Sequence, residues 1–263
     1  MSNKGKAGSQ LDLQIAVNTD EGKELNNAIL SLNRQWNGGS IKWYSPVYSS
    51  VKKMSYKEFS DKSFLEGRFD SKSESFWDEF EKRPMGKVTN WPDGGPRWDG
   101  IAVLTRKNKK KTLLLIEAKA HKSELKGSPC MAEAASKENI RCLIDYVKKK
   151  HHDIFKQDTN WLDTPYYQFS NRLAFLLYLQ EEKFDVALIY ILFANDPYWE
   201  NRDKTTINKW IEAQREKYNH FCAGEKAQAE LSRLGVFELI VDLDCSFSCI
   251  KKIIADNVSN PHR

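Results

Sequence analysis

Two apolar runs joined by a charged turn constrain this chain more than any other feature. Ile101-Ala102-Val103-Leu104 follows Arg97-Trp98-Asp99-Gly100, and Leu113-Leu114-Leu115-Ile116 leads into Glu117-Ala118-Lys119-Ala120-His121. The polar stretch from Arg106 to Lys111 lies between them. Apolar, partly β-branched runs of this length, separated by turn residues, read as buried strands, so the segment predicts a β-hairpin. A turn centred near Asn108 sets Asp99 opposite Glu117. Alternation along a strand returns Lys119 to the face of Glu117 and sends Ala118 into the packing. Two carboxylates and an ammonium then share one small patch at the end of an apolar hairpin.

Like charges directly across a ladder repel, and a buried charge needs a partner. A divalent cation resolves that conflict. Mg²⁺, with Mn²⁺ as its substitute, takes carboxylate oxygens, keeps several waters and completes its shell with phosphate oxygens. A neighbouring lysine can orient or deprotonate an attacking water, or stabilise charge growing on phosphorus oxygens. Asp99 and Glu117 are therefore candidate metal ligands, and Asp99, Glu117 and Lys119 candidate catalytic residues. The competing explanation is chance, because an Asp followed by Glu-x-Lys occurs in many charged chains.

Asp99 followed by Glu117-Ala118-Lys119 at the end of an apolar strand resembles the PD-(D/E)XK nuclease superfamily. The match covers about Trp91 to His121, and the order of elements extends it loosely to Asn195. The resemblance implies an α/β, restriction-endonuclease-like fold, a mixed central β-sheet flanked by helices, with the metal site on the central hairpin. It also implies Mg²⁺-dependent DNA cleavage. The literal Pro-Asp pair is Pro92-Asp93, but Trp91-Pro92-Asp93-Gly94-Gly95-Pro96 reads as a turn, which favours Asp99 on register. Members of the superfamily add an acidic residue from the helix before the hairpin. Ser73 to Glu81 is a candidate for that helix, with Phe76 and Phe80 on its buried face, Glu79 beside them as an accessory ligand and Glu81 next. A solvated helix face is the simpler explanation for either glutamate. The RecB-like branch carries a Gln followed four residues later by a Tyr. Here Gln168 is followed by Arg172, on a helix that starts after Thr164-Pro165 and buries Phe169, Leu173, Leu176 and Leu177. Arg172 departs from the branch pattern, yet its planar fork suits a phosphate.

The remaining segments frame this hairpin. Phe184 to Ala194 is a nearly continuous apolar strand, and Asn195-Asp196-Pro197 is a turn to which no chemistry is assigned. Thr19 or Asp20 caps a helix with Leu25, Ala28, Ile29 and Leu32 on one side, and residues 1–10 are polar and loose. Met131 to Lys150 has helical spacing. Thr206 to Leu234 reads as a long surface helix or a helix pair, followed by a strand at Phe237 to Asp244. The expected organisation is one elaborated domain over residues 1–263, with a core at about 72–195 and helical additions at the N- and C-termini.

A net charge of +5 and a pI near 8.8 permit nucleic-acid binding without requiring it. Lys107, Lys109, Lys110 and Lys111 cluster at the hairpin turn, and Lys148, Lys149, Lys150, His151 and His152 end a helix; both groups read first as solvated. Five cysteines, at 130, 142, 222, 245 and 249, have no paired Cys-x-x-Cys spacing, which argues against zinc and disulfides. His121 reads as a strand-end histidine with no ligand role. The expected location is cytoplasmic, with no membrane span, and the expected partners are DNA and a second copy of the chain as a homodimer. Endonuclease action is favoured over exonuclease action. A nuclease acting on RNA, or an inactive binding or scaffold protein on the same fold, remains the alternative.

Overall fold

The computed structural model describes residues 8–49, 55–56, 96, 98–181, 183–223 and 227–244. The strands in chain order are β1 (Ser40–Ser45), β2 (Tyr48–Ser49), β3 (Ser55–Tyr56), β4 (Gly100–Thr105), β5 (Lys111–Lys119), β6 (Val186–Ala194) and β7 (Val236–Asp242). The helices are α1 (Ser9–Asn18), α2 (Lys23–Ser31), α3 (Ala134–Lys150), α4 (Tyr167–Glu181), α5 (Ile207–Phe221) and α6 (Ala227–Arg233). β2 and β3 pair only with each other, while the other five strands form one mixed sheet in the order β1-β4-β5-β6-β7. β4 runs antiparallel to both β1 and β5, whereas β5, β6 and β7 run parallel to one another. Parallel neighbours need long crossovers, and helices supply them: α3 and α4 between β5 and β6, α5 and α6 between β6 and β7. The sheet thus reaches beyond residues 72–195 on both sides.

The hairpin has the register that its sequence predicts. Gly100 pairs with Ile116, Ala102 with Leu114 and Thr105 with Lys111, so the turn is centred at Asn108. Arg106 N donates to Lys110 O at 2.8 Å to close it. Alternation divides the sheet's two faces. Ile101, Val103, Leu113, Leu115, Leu188 and Leu192 pack under α3, α4 and α5, whereas Ala102, Leu104, Leu114, Ile116, Ala118, Ile189 and Ile191 pack against α1 and α2. β6 is buried along its whole length, as its unbroken apolar run requires.

Several expectations need correction. Residues 9 and 10 belong to α1, a helix with no counterpart among the predicted elements, whose residues Leu11 to Val17 are all buried. A helix enclosed on every side has no polar stripe, so its period is invisible in the sequence. Neither Thr19 nor Asp20 caps α2. Thr19–Gly22 forms a short 3₁₀ turn with Asp20 at φ 47° and Glu21 at φ 53°, and α2 begins after a left-handed Gly22 without a side-chain cap. Leu25 and Ile29 are buried as expected. Thr206 to Leu234 holds the helix pair α5 and α6, and α5 is exposed on one side while Trp210, Lys217 and Phe221 are fully buried on the other. Lys148 is likewise not solvated; its Nζ donates to Gln157 O and Thr159 O, both at 2.7 Å. Glu79, Glu81, Asp93, Cys245 and Cys249 lie outside the described residues. Among the described residues, no helix is long and apolar enough to cross a membrane.

Candidate active site

The end of the hairpin brings Asp99, Glu117 and Lys119 together on the sheet face covered by α4. Asp99 lies one step beyond the last β4–β5 pair and turns back onto β5, where its Oδ2 accepts from Ala118 N at 2.8 Å. Gly100 makes this approach feasible. A Cβ there would lie 3.2 Å from Ile116 Cβ, from Ser45 O and from the Trp43 ring, so any side chain would push β4 away from both neighbours. On β5, Lys119 Nζ donates to Oε1 of Glu117. From α4, Arg172 Nε donates to Glu117 Oε2 at 3.0 Å. The guanidinium lies over the Trp98 ring with its carbon 5.3 Å from the centroid. Both oxygens of Glu117 are therefore held by cations, while Asp99 Oδ1 takes no hydrogen bond among the described residues.

Burial dominates the electrostatics of the patch. It pushes the Asp99 carboxyl up to about 7, with the nearby Glu117 charge adding to the rise and Lys119, the Ala118 amide and Arg172 opposing it. Burial acts on Glu117 in the same direction, but Arg172 and Lys119 together outweigh it and hold Glu117 below the ordinary glutamate value. The two carboxylates thus differ: one is stabilised as an anion, the other titrates near neutrality. A pair of acids pushed apart in this way is a frequent mark of a functional site.

The patch continues across the sheet. Glu117 pairs in register with Tyr190 of β6, and Tyr190 with Glu238 of β7. Lys217 of α5 donates to Glu238 Oε1 at 3.2 Å and lies 4.4 Å from the ring centroids of both Tyr190 and Phe169. A polar row from Asp99 to Glu238 thus runs under two helices, with Arg172 and Lys217 set above it. Tyr190 Oη is buried in its middle, without a hydrogen-bond partner among the described residues. Sequence reasoning missed Trp98, Tyr190 and Lys217. Only Trp98 carries a local signal, as the neighbour of Asp99; the other two depend on a parallel register and a crossover.

Gln168 makes no hydrogen bond to the patch, so of the Gln168–Arg172 pair only the arginine takes part. His121 is engaged elsewhere. Its Nδ1 lies 2.7 Å from Ser123 Oγ, its Nε2 3.0 Å from Asp203 O, and its ring stacks on Trp199. The basic turn lies at the far end of the hairpin. Five steps separate Gly100 from Thr105, which at ~3.4 Å each is ~17 Å from the carboxylates.

Two carboxylates on one face, one with an uncommitted oxygen, suit a hard divalent cation that keeps most of its water. Among the described residues, no group of three or more His, Cys, Asp and Glu is placed to hold a metal ion, so a cation here would rest on Asp99 and Glu117 with water or substrate oxygens completing its shell. Compared with family models, with curated proteins and with solved structures, the chain matches none of them.

Proposed function

We propose that the chain is a metal-dependent nuclease of the restriction-endonuclease-like class that hydrolyses phosphodiester bonds in DNA. The observation that carries this reading is the meeting of Asp99, Glu117, Lys119 and Arg172 at the open end of a buried hairpin, inside a mixed sheet flanked by helices. A bound Mg²⁺ would supply Lewis acidity toward the phosphoryl oxygens and lower the pKa of a bound water. Asp99 and Glu117 would hold it. Lys119, on the same face as Glu117, would position the water whose oxygen forms the new bond to phosphorus, while the P–O bond to the departing sugar oxygen breaks and that oxygen takes up a proton. Arg172 would neutralise charge on the non-bridging oxygens through its planar fork.

One observation favours a second reading. Glu117 is fully engaged by Lys119 and Arg172 without any metal, which is what a structural ion cluster in a binding or scaffold protein would look like. Cleavage assays separate the two. On plasmid DNA, single-stranded DNA and RNA, the nuclease reading expects Mg²⁺-dependent cutting that EDTA abolishes, with Asp99→Asn and Lys119→Met each at least ~100-fold slower. Nucleic-acid binding that ignores Mg²⁺, with no cutting of any substrate, would place the protein with the binders. Cutting confined to RNA would correct the substrate.

A further inference from the structure

We infer that the cleft between α5, α6 and β7 binds an amino-substituted nitrogen heterocycle of the adenine or cytosine kind, read by the amide of Gln214 and the carboxylate of Glu238. This inference does not depend on the nuclease reading. Glu238 lies two strands away from Glu117, roughly 10 Å at ~4.8 Å per strand, so the cleft is a separate place.

The cleft has a volume of about 250 Å³. Pockets for drug-sized ligands run to about 300–1,000 Å³, so this one suits a single ring system. Tyr218 of α5, Ala227 of α6, Ile240 of β7 and the exposed Ile211 line it together with Gln214 and Glu238. Aromatic and aliphatic walls with a few convergent polar groups fit the faces and the edge of a flat heterocycle.

Gln214 carries the argument. The residue is 4% exposed, and neither its carbonyl oxygen nor its amide nitrogen has a hydrogen-bond partner among the described residues. Buried polar groups are nearly always paired, and one left unpaired costs the fold its desolvation. A methionine would fill the same space without that cost, so packing gives no reason for a glutamine here. A ligand in the cleft does. The terminal torsion of a glutamine is soft, so its amide turns toward such a ligand without moving α5.

Glu238 supplies the second half of the recognition. Its Oε1 accepts from Lys217 Nζ at 3.2 Å, and a carboxylate has about four acceptor sites, so it can still accept from a ligand amine. An amide sets an acceptor beside donors, and its complement is an exocyclic amine beside a ring nitrogen. Adenine and cytosine both carry that edge, and glutamine to adenine and glutamate to the cytosine amine are recurrent pairings. One amine hydrogen would go to Gln214 Oε1 and the other to Glu238. Inosine and uridine have a carbonyl oxygen where that amine stands, which would set an acceptor against the carboxylate.

The test is calorimetric titration of adenosine, cytidine, inosine and uridine into the full-length protein, as wild type and as Gln214→Met, with the melting temperature of each. A single-stranded oligo-adenylate is titrated as well, because a free nucleoside and a base swung out of a strand offer the same edge. Adenosine or cytidine should bind wild type, with inosine and uridine about tenfold weaker or worse. Gln214→Met should melt no lower than wild type and lose affinity by about tenfold or more. Binding of the oligonucleotide alone, lost in the same variant, would uphold the site and assign its ligand to a strand. Equal binding of all four nucleosides, binding unchanged in Gln214→Met, or no binding of any nucleoside or of the oligonucleotide would overturn the inference. Should the variant fail to fold, the amine preference of the wild type decides alone.

Discussion

The protein buries two groups of carboxylates near the C-terminal ends of β5 and β6, and it neutralises them in opposite ways. On the α4 face, Glu117 is paired with both Lys119 and Arg172, and Asp99 lies beside them on the Ala118 amide. On the α1 face, Asp12 and Asp196 meet with Glu124 nearby, and among the described residues no lysine, arginine or histidine pairs with either aspartate. Apart from Asp196, Asp12 has no side-chain hydrogen-bond partner among the described residues, and the residue is 0% exposed. Burial raises Asp12 well above the ordinary range, with Asp196 and Glu124 adding to the rise, and burial pushes Asp196 up to about 6. A proton on one carboxyl lets it donate to the other, which offsets the cost of burying two acids together. Glu124 is instead tied to the backbone, accepting from Ala120 N at 3.1 Å and His121 N at 2.8 Å, and from Ser9 Oγ at 2.8 Å. The lesson is chemical. Acids that share a proton fasten α1 to the sheet, whereas Glu117, paired with two cations, keeps its charge.

The largest expected effect comes from breaking the balanced group. Glu117→Ala strands Lys119 and Arg172 in a buried region, and loss of one member of a buried ion cluster costs about 3–5 kcal/mol. Denaturant unfolding should show it. Asp12→Asn, which keeps a donor toward Asp196, should cost less than about 1 kcal/mol, and a cost near that of Glu117→Ala would erase the contrast.

The proton-sharing group makes a pH prediction of definite sign. Asp12 and Asp196 have folded pKa values above their unfolded ones, so the folded protein binds more protons and loses stability as pH rises from about 4 through about 6. Asp99, raised to about 7, acts in the same direction. Glu117 acts in the opposite one: its contribution is present above the ordinary glutamate value and is lost as pH falls through its lowered pKa. Melts between pH 4 and pH 8 should therefore show a shallower decline for Asp12→Asn than for wild type; an unchanged slope would remove the shared proton. Gly100→Ala should cost about 1–3 kcal/mol by crowding Ile116, Ser45 and Trp43, and it should slow cleavage by displacing Asp99. The smallest effect belongs to the hairpin turn. Alanine at Lys107, Lys109 and Lys110 should change stability by less than about 0.5 kcal/mol each, because all three are exposed.

What could be read from the sequence follows from the range of the interactions involved. The hairpin was legible because strand period and turn position are local, and together they fix which residues face each other. That put Asp99, Glu117 and Lys119 on one patch. Arg172 was legible as a polar residue beside a helical core face, but its carboxylate partner was not, because a crossover separates α4 from β5. Gln168 fails for a geometric reason, lying four residues and ~6 Å back along the helix. The Asp12–Asp196 pair joins two distant parts of the chain and leaves no local trace. Nor does the row through Tyr190, Glu238 and Lys217, since a parallel register carries no turn to count from.

The central claim is that Asp99 and Glu117 form a cation site that works on a phosphodiester. Anomalous diffraction from crystals grown with Mn²⁺ and a DNA duplex carrying phosphorothioate linkages tests it most directly. The account predicts a Mn²⁺ peak bonded to Asp99 and Glu117 carboxylate oxygens, with a non-bridging phosphate atom in its shell. DNA bound at the hairpin end with no Mn²⁺ peak there, and with Glu117 still held by Lys119 and Arg172, would contradict it.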